Sequence, residues 1–220
     1  MIDDQIGRLL DELDGQKVLN DTLIVYTSDH GHMNGHHGLH TKGNATVPQN
    51  FIEESIRVPC LLSWVNGIEG GQVRSEPVDH IDLFQTLLDA ARVDLPAELR
   101  EEIRSPGASY LPLLQGREIP WRGYQICEYG NARMIRTETA KLIRRYPGPN
   151  GHFPDEFYDL VEDPRENENR IEDPRYRDRI EELSEQLEAF FQRYEFPEAS
   201  GKEIERQPSC NPNEPWRVEV

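Results

Sequence analysis

The 220-residue chain is poor in cysteine, in long apolar runs and in positive charge. Its three cysteines are too few for a disulfide framework. It has no run of about twenty apolar residues, so we expect no membrane span. The 24 Lys and Arg face 41 Asp and Glu, which gives a net charge of −17. Because like charges repel, this balance argues against binding to nucleic acid or to an anionic membrane surface.

Histidine is concentrated in one segment, residues 22–43, which reads TLIVYTSDHGHMNGHHGLHTKG and holds five of the seven histidines. The short apolar run from Leu23 to Tyr26 predicts a buried parallel strand, and open α/β sheets bind ligands beyond the carboxyl ends of such strands. Asp29 and His30 lie at that end, and a carboxylate with a neutral imidazole suits a divalent cation. Lys42 would hold an anionic substrate beside it. The alternative is a solvated, histidine-rich surface loop.

The flanking segments predict supporting structure. Apolar residues at helical spacing predict a helix over residues 2–15 that ends at Gly15 and packs on a sheet. A strand is expected over residues 60–64, with Cys60 in the core, and residues 95–114 are expected to form a linker and a turn. A helix is expected within residues 77–93. Its His80 and Asp82 are interpreted as packing and helix capping rather than as metal ligands.

The pattern changes after residue 120 to short alternating runs. They predict a small antiparallel sheet, with strands at residues 124–129, 133–137, 141–145 and 157–160. Its basic side chains would flank an anionic substrate or face solvent at a sheet edge; they are Arg133, Arg136, Lys141, Arg144 and Arg145. A final helix is expected over residues 176–194. The predicted domains are residues 1–115, the α/β part, residues 116–196, a small α+β part, and residues 197–220, an extended or disordered tail.

Several motifs together resemble the sulfatase family of the alkaline-phosphatase-like superfamily. SDHGHMNGHHGLHTKG, followed by NFIEESIRVPCLLSW, is similar to the family's SDHG, GxHGL, Lys and E-x-x-x-RVP order. IDDQIGRLLDELDGQKVLNDTLIVYTSDHG, RMIRTETAKLIRR and EFYDLVEDPRENENRI extend the likeness over most of the chain. The resemblance implies an α/β fold: a partial alkaline-phosphatase-like sulfatase core with a small C-terminal antiparallel sheet and a terminal helix.

The resemblance also implies a site. Asp29 and His30 would be two ligands of a divalent cation, usually calcium in sulfatases, although calcium prefers oxygen ligands. Lys42 would contact the sulfate group and stabilise its charge. His37, in GHHG, matches a family histidine that assists by hydrogen bonding or proton transfer, and its alternative role is to brace the loop.

One family feature is absent from this sequence. Sulfatases make a formylglycine nucleophile from the first residue of a C/S-x-P-x-R motif, and they place two further Asp ligands on an N-terminal strand. The chain contains no such motif, so formylglycine is not encoded here. The chain therefore resembles the C-terminal part of a sulfatase, and we expect it to be inactive alone.

The expected function is thus metal-dependent hydrolysis of a sulfuric ester, with a sulfated small molecule or carbohydrate as substrate. One alternative is a metal-dependent phosphohydrolase or phosphonate hydrolase of the same superfamily, and another is a noncatalytic remnant or binding module. Self-association or a partner chain would cover the truncated core. Localisation stays open, because a signal peptide would be lost with the missing N-terminal part.

Overall fold

The structure, a computed structural model, describes residues 1–42 and 46–206. The chain forms two compact units. One comprises Met1–Lys42 and Glu53–Gln125, and the other comprises Gly43–Ile52 and Ile126–Val220. The domain boundaries expected from the sequence, 1–115 and 116–196, stay a prediction, since compactness alone does not establish independent folding.

The first unit combines five helices and four short strands within its described residues. They are α1 (Ile2–Gly15), β1 (Ile24–Thr27), β2 (Met33–Asn34), β3 (His40–Thr41), α2 (Glu53–Ile56), β4 (Cys60–Ser63), α3 (His80–Ala90), α4 (Ala97–Ile103) and α5 (Leu111–Leu114). β1 pairs with β4 and β2 pairs with β3. The helix α4 occupies part of the stretch that was expected to be a linker.

The strand before the Asp-His pair forms, but its predicted surroundings are wrong. β1 pairs antiparallel with β4, with Ile24 opposite Ser63 and Thr27 opposite Cys60. β1 is only partly buried, and Cys60, which was expected in the core, is exposed. An apolar, β-branched run favours a strand but does not fix its neighbour.

The helix α1 has the predicted length and end, and its apolar face is only partly covered. It ends at Gly15, as expected, and none of its residues is buried. Ile2 and Leu9 are 70% and 65% exposed. Ile6, Leu10 and Leu13 are half-buried. The expectation that α1 packs on a sheet stays a prediction, because periodicity shows which face is apolar and not what covers it.

The helix α3 begins with the expected carboxylate cap. Asp79 is its N-cap, and the backbone N–H of Asp79 donates to Asp82 Oδ2 at 3.0 Å. Asp82 is fully buried and also accepts hydrogen bonds from Arg122 and from the backbone N–H of Ala108. The structural interpretation of Asp82 is confirmed.

The second unit holds the predicted antiparallel sheet and final helix. The strands β5 (Tyr124–Tyr129), β6 (Ala132–Thr137), β7 (Ala140–Arg145) and β8 (Glu156–Asp159) lie in sequence order. The helix α6 (Arg177–Tyr194) buries Leu183, Leu187 and Phe191. The sheet contributes Ile135 and Leu142 to the same apolar core.

Three of the five basic residues in this sheet, Arg133, Lys141 and Arg145, are buried. They therefore neither flank a substrate nor face solvent, the two roles expected from the sequence. Arg133 pairs with Glu128 and Glu195, Lys141 with Glu166, and Arg145 with Glu156. Buried cations require such partners. They organise the unit and do not present charge to a substrate.

The expected tail is partly ordered. Residues 197–199 and 201–206 form 3-10 turns, so the prediction of an extended or disordered segment is wrong there. Ser200 and Gly201 are buried, and a Cβ at Gly201 would lie 2.1 Å from the Gly130 carbonyl oxygen. Lys202 Nζ lies 3.1 Å from Glu188 Oε2. These contacts fix the segment, and residues 207–220 lie outside the described residues.

No helix within residues 1–42 and 46–206 has the length and apolar character needed to cross a membrane.

Candidate functional site

Asp29 lies just beyond the carboxyl end of β1, as the sequence predicts. Its side chain is 85% exposed, and its Oδ1 accepts a hydrogen bond from the backbone N–H of His30 at 3.1 Å. Desolvation acts to raise the pKa of Asp29, but the charge of His30, backbone N–H donors and the charge of Lys42 outweigh it. The pKa of Asp29 therefore lies below its ordinary value. A carboxylate held ionised is the form that binds a cation.

The imidazole of His30 has the protonation pattern of a metal ligand. Its Nδ1 lies 2.7 Å from the carbonyl oxygen of Gly31. Because a carbonyl oxygen only accepts, Nδ1 donates this hydrogen bond, and in the neutral form of the ring Nε2 then carries the lone pair. Histidines that bind metals commonly donate their other ring N–H to a backbone carbonyl in this way.

The two candidate ligands converge. His30 Nε2 lies 3.7 Å from Asp29 Oδ1. Two ligand atoms that share one cation, each at about 2.0 to 2.6 Å from it, lie about 3 to 4 Å apart. The pair therefore fits two positions of a cation's coordination shell. Within the described ranges no group of three or more His, Cys, Asp or Glu side chains is placed to hold a metal.

Gly31 fixes the far end of the Asp-His pair. Its N–H donates to the Ser55 carbonyl oxygen at 2.8 Å. A Cβ at this position would lie 1.9 Å from the Glu54 carbonyl oxygen. Only glycine permits so close an approach of two backbones. The DHG glycine is therefore required by packing against α2.

The GHHG segment forms the tip of a short hairpin, in which β2 and β3 pair antiparallel over residues 33–34 and 40–41. Gly35, with a φ of 93°, and Gly38, with a φ of 71°, make the turn. His37 lies in this turn, exposed and with a φ of 51°. The neighbouring His36 Nε2 lies 3.5 Å from Glu54 Oε1. An exposed imidazole at a hairpin tip is accessible to a ligand.

Lys42 follows β3 and is exposed. Its charge is one of those that lower the pKa of Asp29. Lys42 therefore lies within electrostatic range of Asp29. His37 lies on the hairpin that connects the two.

Sequence reasoning missed one residue near this pair. His80 Nε2 lies 2.9 Å from the carbonyl oxygen of Ser28, the residue before Asp29. His80 was expected only to pack. The one signal available was its place at the first residue of α3, directly after the Asp79 cap. A contact between residues 52 positions apart is not encoded in local sequence.

The fold is that of an α/β protein of the alkaline-phosphatase-like class. Comparison with known proteins specifies the family. Residues 35–193 match the family described as N-sulphoglucosamine sulphohydrolase, C-terminal. The N-acetylglucosamine-6-O-sulfatase of Bacteroides thetaiotaomicron is 32% identical over 214 residues, 92% of this chain and 36% of that protein.

Comparison with solved structures also gives sulfatase-like relatives. A protein in complex with its substrate D-glucosamine-2-N,6-O-disulfate superposes with a TM-score of 0.73 and 31% identity, over 88% of this chain and 38% of that chain. The phosphonate monoester hydrolase of Agrobacterium radiobacter also gives a TM-score of 0.73, with 26% identity over 88% of this chain and 39% of that chain.

The chain belongs to the sulfatase family and matches its C-terminal part. Membership implies a divalent cation in general. The chain spans about a third of the length of the curated relatives it matches.

Proposed function

We propose that this chain is the C-terminal portion of a metal-dependent sulfuric ester hydrolase and supplies part of its catalytic site. The observation that carries the proposal is the convergence of an ionised Asp29 carboxylate and the His30 Nε2 lone pair, 3.7 Å apart, at the end of β1. The charge of Lys42 lies near enough to influence the same carboxylate.

Asp29 and His30 supply two ligands of the cation, which we propose to be calcium. A bound cation supplies Lewis-acid stabilisation of negative charge on the ester group. Calcium usually takes six to eight ligands. The remaining ligands would come from the part of a sulfatase that this chain does not match, and from water.

Lys42 and His37 are the proposed catalytic residues of this portion. Lys42 contacts the sulfate and stabilises negative charge on the transferring group or the leaving oxygen, as a point cation does for a tetrahedral anion. His37 donates a hydrogen bond or transfers a proton from the hairpin tip. The exposure of both side chains supports these roles.

The proposed substrate is a sulfated carbohydrate or other sulfated small molecule. Support comes from the name of the Bacteroides relative, an N-acetylglucosamine-6-O-sulfatase, and from the solved neighbour bound to a disulfated glucosamine. The net charge of −17 means that local cations such as Lys42, rather than the overall field, must attract an anionic ester.

The isolated chain should have no turnover, because its sequence does not encode the C/S-x-P-x-R segment that gives formylglycine. The test has two arms. The 220-residue chain is assayed with a chromogenic aryl sulfate and calcium, and a chimera carries this chain in place of the matched third of the Bacteroides relative. We expect hydrolysis only by the chimera.

Matched variants of the chimera test the residues. Asp29→Asn and Lys42→Gln should each reduce turnover about 10²-fold or more, since each removes a charge at the reacting group. Asp14→Asn and Lys17→Gln change exposed residues of the same types and should leave turnover unchanged. A folded chimera whose turnover is insensitive to Lys42→Gln, or turnover by the isolated chain that requires Lys42, would contradict the proposal.

A phosphonate or phosphate monoester hydrolase is the second candidate, and the phosphonate monoester hydrolase neighbour favours it. Such an enzyme commonly prefers manganese or zinc to calcium. Parallel assays of the chimera with aryl sulfate and aryl phosphonate, each with calcium and with manganese, separate the two. A folded chimera that hydrolyses neither ester would favour a noncatalytic remnant.

We also propose that self-association or another polypeptide covers the apolar surface of the first unit. Ile2, Leu9, Leu61 and Val65 are each more than 60% exposed there. Apolar side chains exposed in such number favour association. Sedimentation velocity of the chain checks this, and a monomer at high concentration would contradict self-association.

A further inference from the structure

The first residue of α3 holds the backbone just before the candidate cation ligands. His80 Nε2 lies 2.9 Å from the Ser28 carbonyl oxygen. A carbonyl oxygen only accepts, so the imidazole donates from Nε2. That nitrogen is therefore used by the protein and is not available to a metal.

The start of α3 is a fixed platform for this imidazole. Three side chains from residues 121–125 donate hydrogen bonds to the residues around the start of α3. Trp121 Nε1 donates to the Pro77 carbonyl oxygen at 2.7 Å, Arg122 Nη1 to Asp82 Oδ1 at 2.6 Å, and Gln125 Nε2 to the Val78 carbonyl oxygen at 3.0 Å. A Cβ at Gly107 would lie 1.9 Å from the Ile81 carbonyl oxygen, so the backbone is closely packed on that side too.

The loop of residues 28–31 accepts this hydrogen bond from His80 at Ser28, and few other contacts hold its centre. Gly31 is tied to α2, and Ser28 Oγ donates to the His30 carbonyl oxygen at 2.8 Å. Between these contacts the Asp29 side chain is largely exposed. The peptide unit is planar, so holding the Ser28 carbonyl oxygen also fixes the nitrogen and Cα of Asp29. The point at which the Asp29 side chain leaves the backbone is then constrained, and the hydrogen bond from the His30 N–H to Asp29 Oδ1 orients the carboxylate.

We propose that His80 is a positioning residue that orients the Asp29–His30 pair towards its cation through the Ser28 carbonyl. The inference deepens the proposed function and depends on the cation site described there. Groups that hold metal ligands in place typically contribute about 10- to 100-fold to metal affinity. His80 acts through backbone geometry, so the low end of that range is expected.

The test uses the full 220-residue chain and Mn²⁺ as the probe, with free Mn²⁺ measured by electron paramagnetic resonance. His80→Leu removes the donor, whereas His80→Gln offers an amide N–H to the same carbonyl. We expect His80→Leu to weaken the site about tenfold and His80→Gln to restore most of the affinity. Asp29→Asn identifies the site among the many surface carboxylates, and Asp14→Asn is its matched control.

A second readout is independent of metal. Amide hydrogen exchange of Asp29 and His30, measured by NMR without cation, should be faster in His80→Leu than in the parent chain and close to the parent in His80→Gln. Equal melting temperatures of the two variants would show that the difference is local.

The outcomes separate the two proposals. If Asp29→Asn weakens Mn²⁺ binding and His80→Leu does not, the positioning role is overturned and the cation site stands. Equal losses in His80→Leu and His80→Gln also overturn it, because the hydrogen bond would not be the cause. If Asp29→Asn changes nothing, this chain does not bind the cation through Asp29, and the role of His80 in holding cation ligands is overturned; the turnover of the chimera then decides the proposed function. Unchanged exchange in His80→Leu would in addition refute the backbone geometry on which the inference is built.

Discussion

Replacing Arg122 by Met should destabilise the first unit strongly, because it leaves the carboxylate of Asp82 buried without its cation. Asp82 is fully buried, and Arg122 is 16% exposed and lies 2.9 Å from Asp79 Oδ2 as well. Desolvation acts to lower the pKa of Arg122, but its hydrogen bonds and charge interactions with the two carboxylates raise it above its ordinary value. The folded protein therefore stabilises the charged form of Arg122 through these two carboxylates.

The expected loss follows from removing one partner of a buried ion pair, which costs about 3 to 5 kcal/mol. With a denaturant slope of about 2 kcal/mol per molar urea, the midpoint should fall by about 2 M. In the double variant with Asp82→Asn the loss should be clearly smaller. The neutral amide needs no cation, and its oxygen still accepts a backbone N–H from Ala108 or Asp79.

Tryptophan emission during urea unfolding is the assay. Trp64 and Trp121 both belong to the first unit, and a Trp216→Phe background removes the third tryptophan. A matched control is Arg8→Met, which removes an exposed cation from α1 of the same unit. A loss below about 1 kcal/mol for Arg122→Met would refute the reasoning, since that is the range of an exposed ion pair. So would a double variant no more stable than Arg122→Met.

Three further predictions concern packing and pH. Gly31→Ala should lower the thermal midpoint and weaken Mn²⁺ binding, because its Cβ would meet the Glu54 carbonyl oxygen at 1.9 Å. Desolvation acts to raise the pKa of Glu195, but hydrogen bonds and the nearby cations lower it below 4.5, so the stability it contributes should be lost as pH falls below about 4.5. The urea midpoints of Glu195→Gln and the parent should therefore differ at pH 7, and the difference should shrink as pH falls below about 4.5. Truncation after Phe196 should lower the urea midpoint relative to truncation after Arg206, because residues 197–206 are ordered on the second unit.

Each of these has a contrary result. Mn²⁺ affinity equal to the parent in Gly31→Ala would mean that the loop accommodates the methyl group by shifting. A constant difference between Glu195→Gln and the parent from pH 7 to pH 3 would show that the carboxylate is not the titrating cause. Equal midpoints for the two truncations would mean that the contacts of Ser200 and Lys202 contribute nothing measurable.

The amino-acid sequence by itself determined the elements whose signals are local. Apolar periodicity and a terminal glycine gave α1 and its end at Gly15, and alternation with turn residues gave the four strands from Tyr124 to Asp159. The SDHG and GHHG segments and the lysine after them indicated the sulfatase family, which comparison confirmed, and predicted a site at Asp29, His30, His37 and Lys42. These patterns depend on neighbours within a few residues.

Only the tertiary structure decided what surrounds those elements. It made β4 the antiparallel neighbour of β1, left Cys60 exposed and ordered residues 197–206. It also turned Lys141 into one half of a buried ion pair and brought His80 onto Ser28. Each of these is a contact between residues far apart in sequence, and pairing, burial and desolvation arise only when distant segments meet. The local sequence pattern therefore specifies which chemical groups are present. The fold decides which charged side chains are paired and which backbone groups accept their hydrogen bonds.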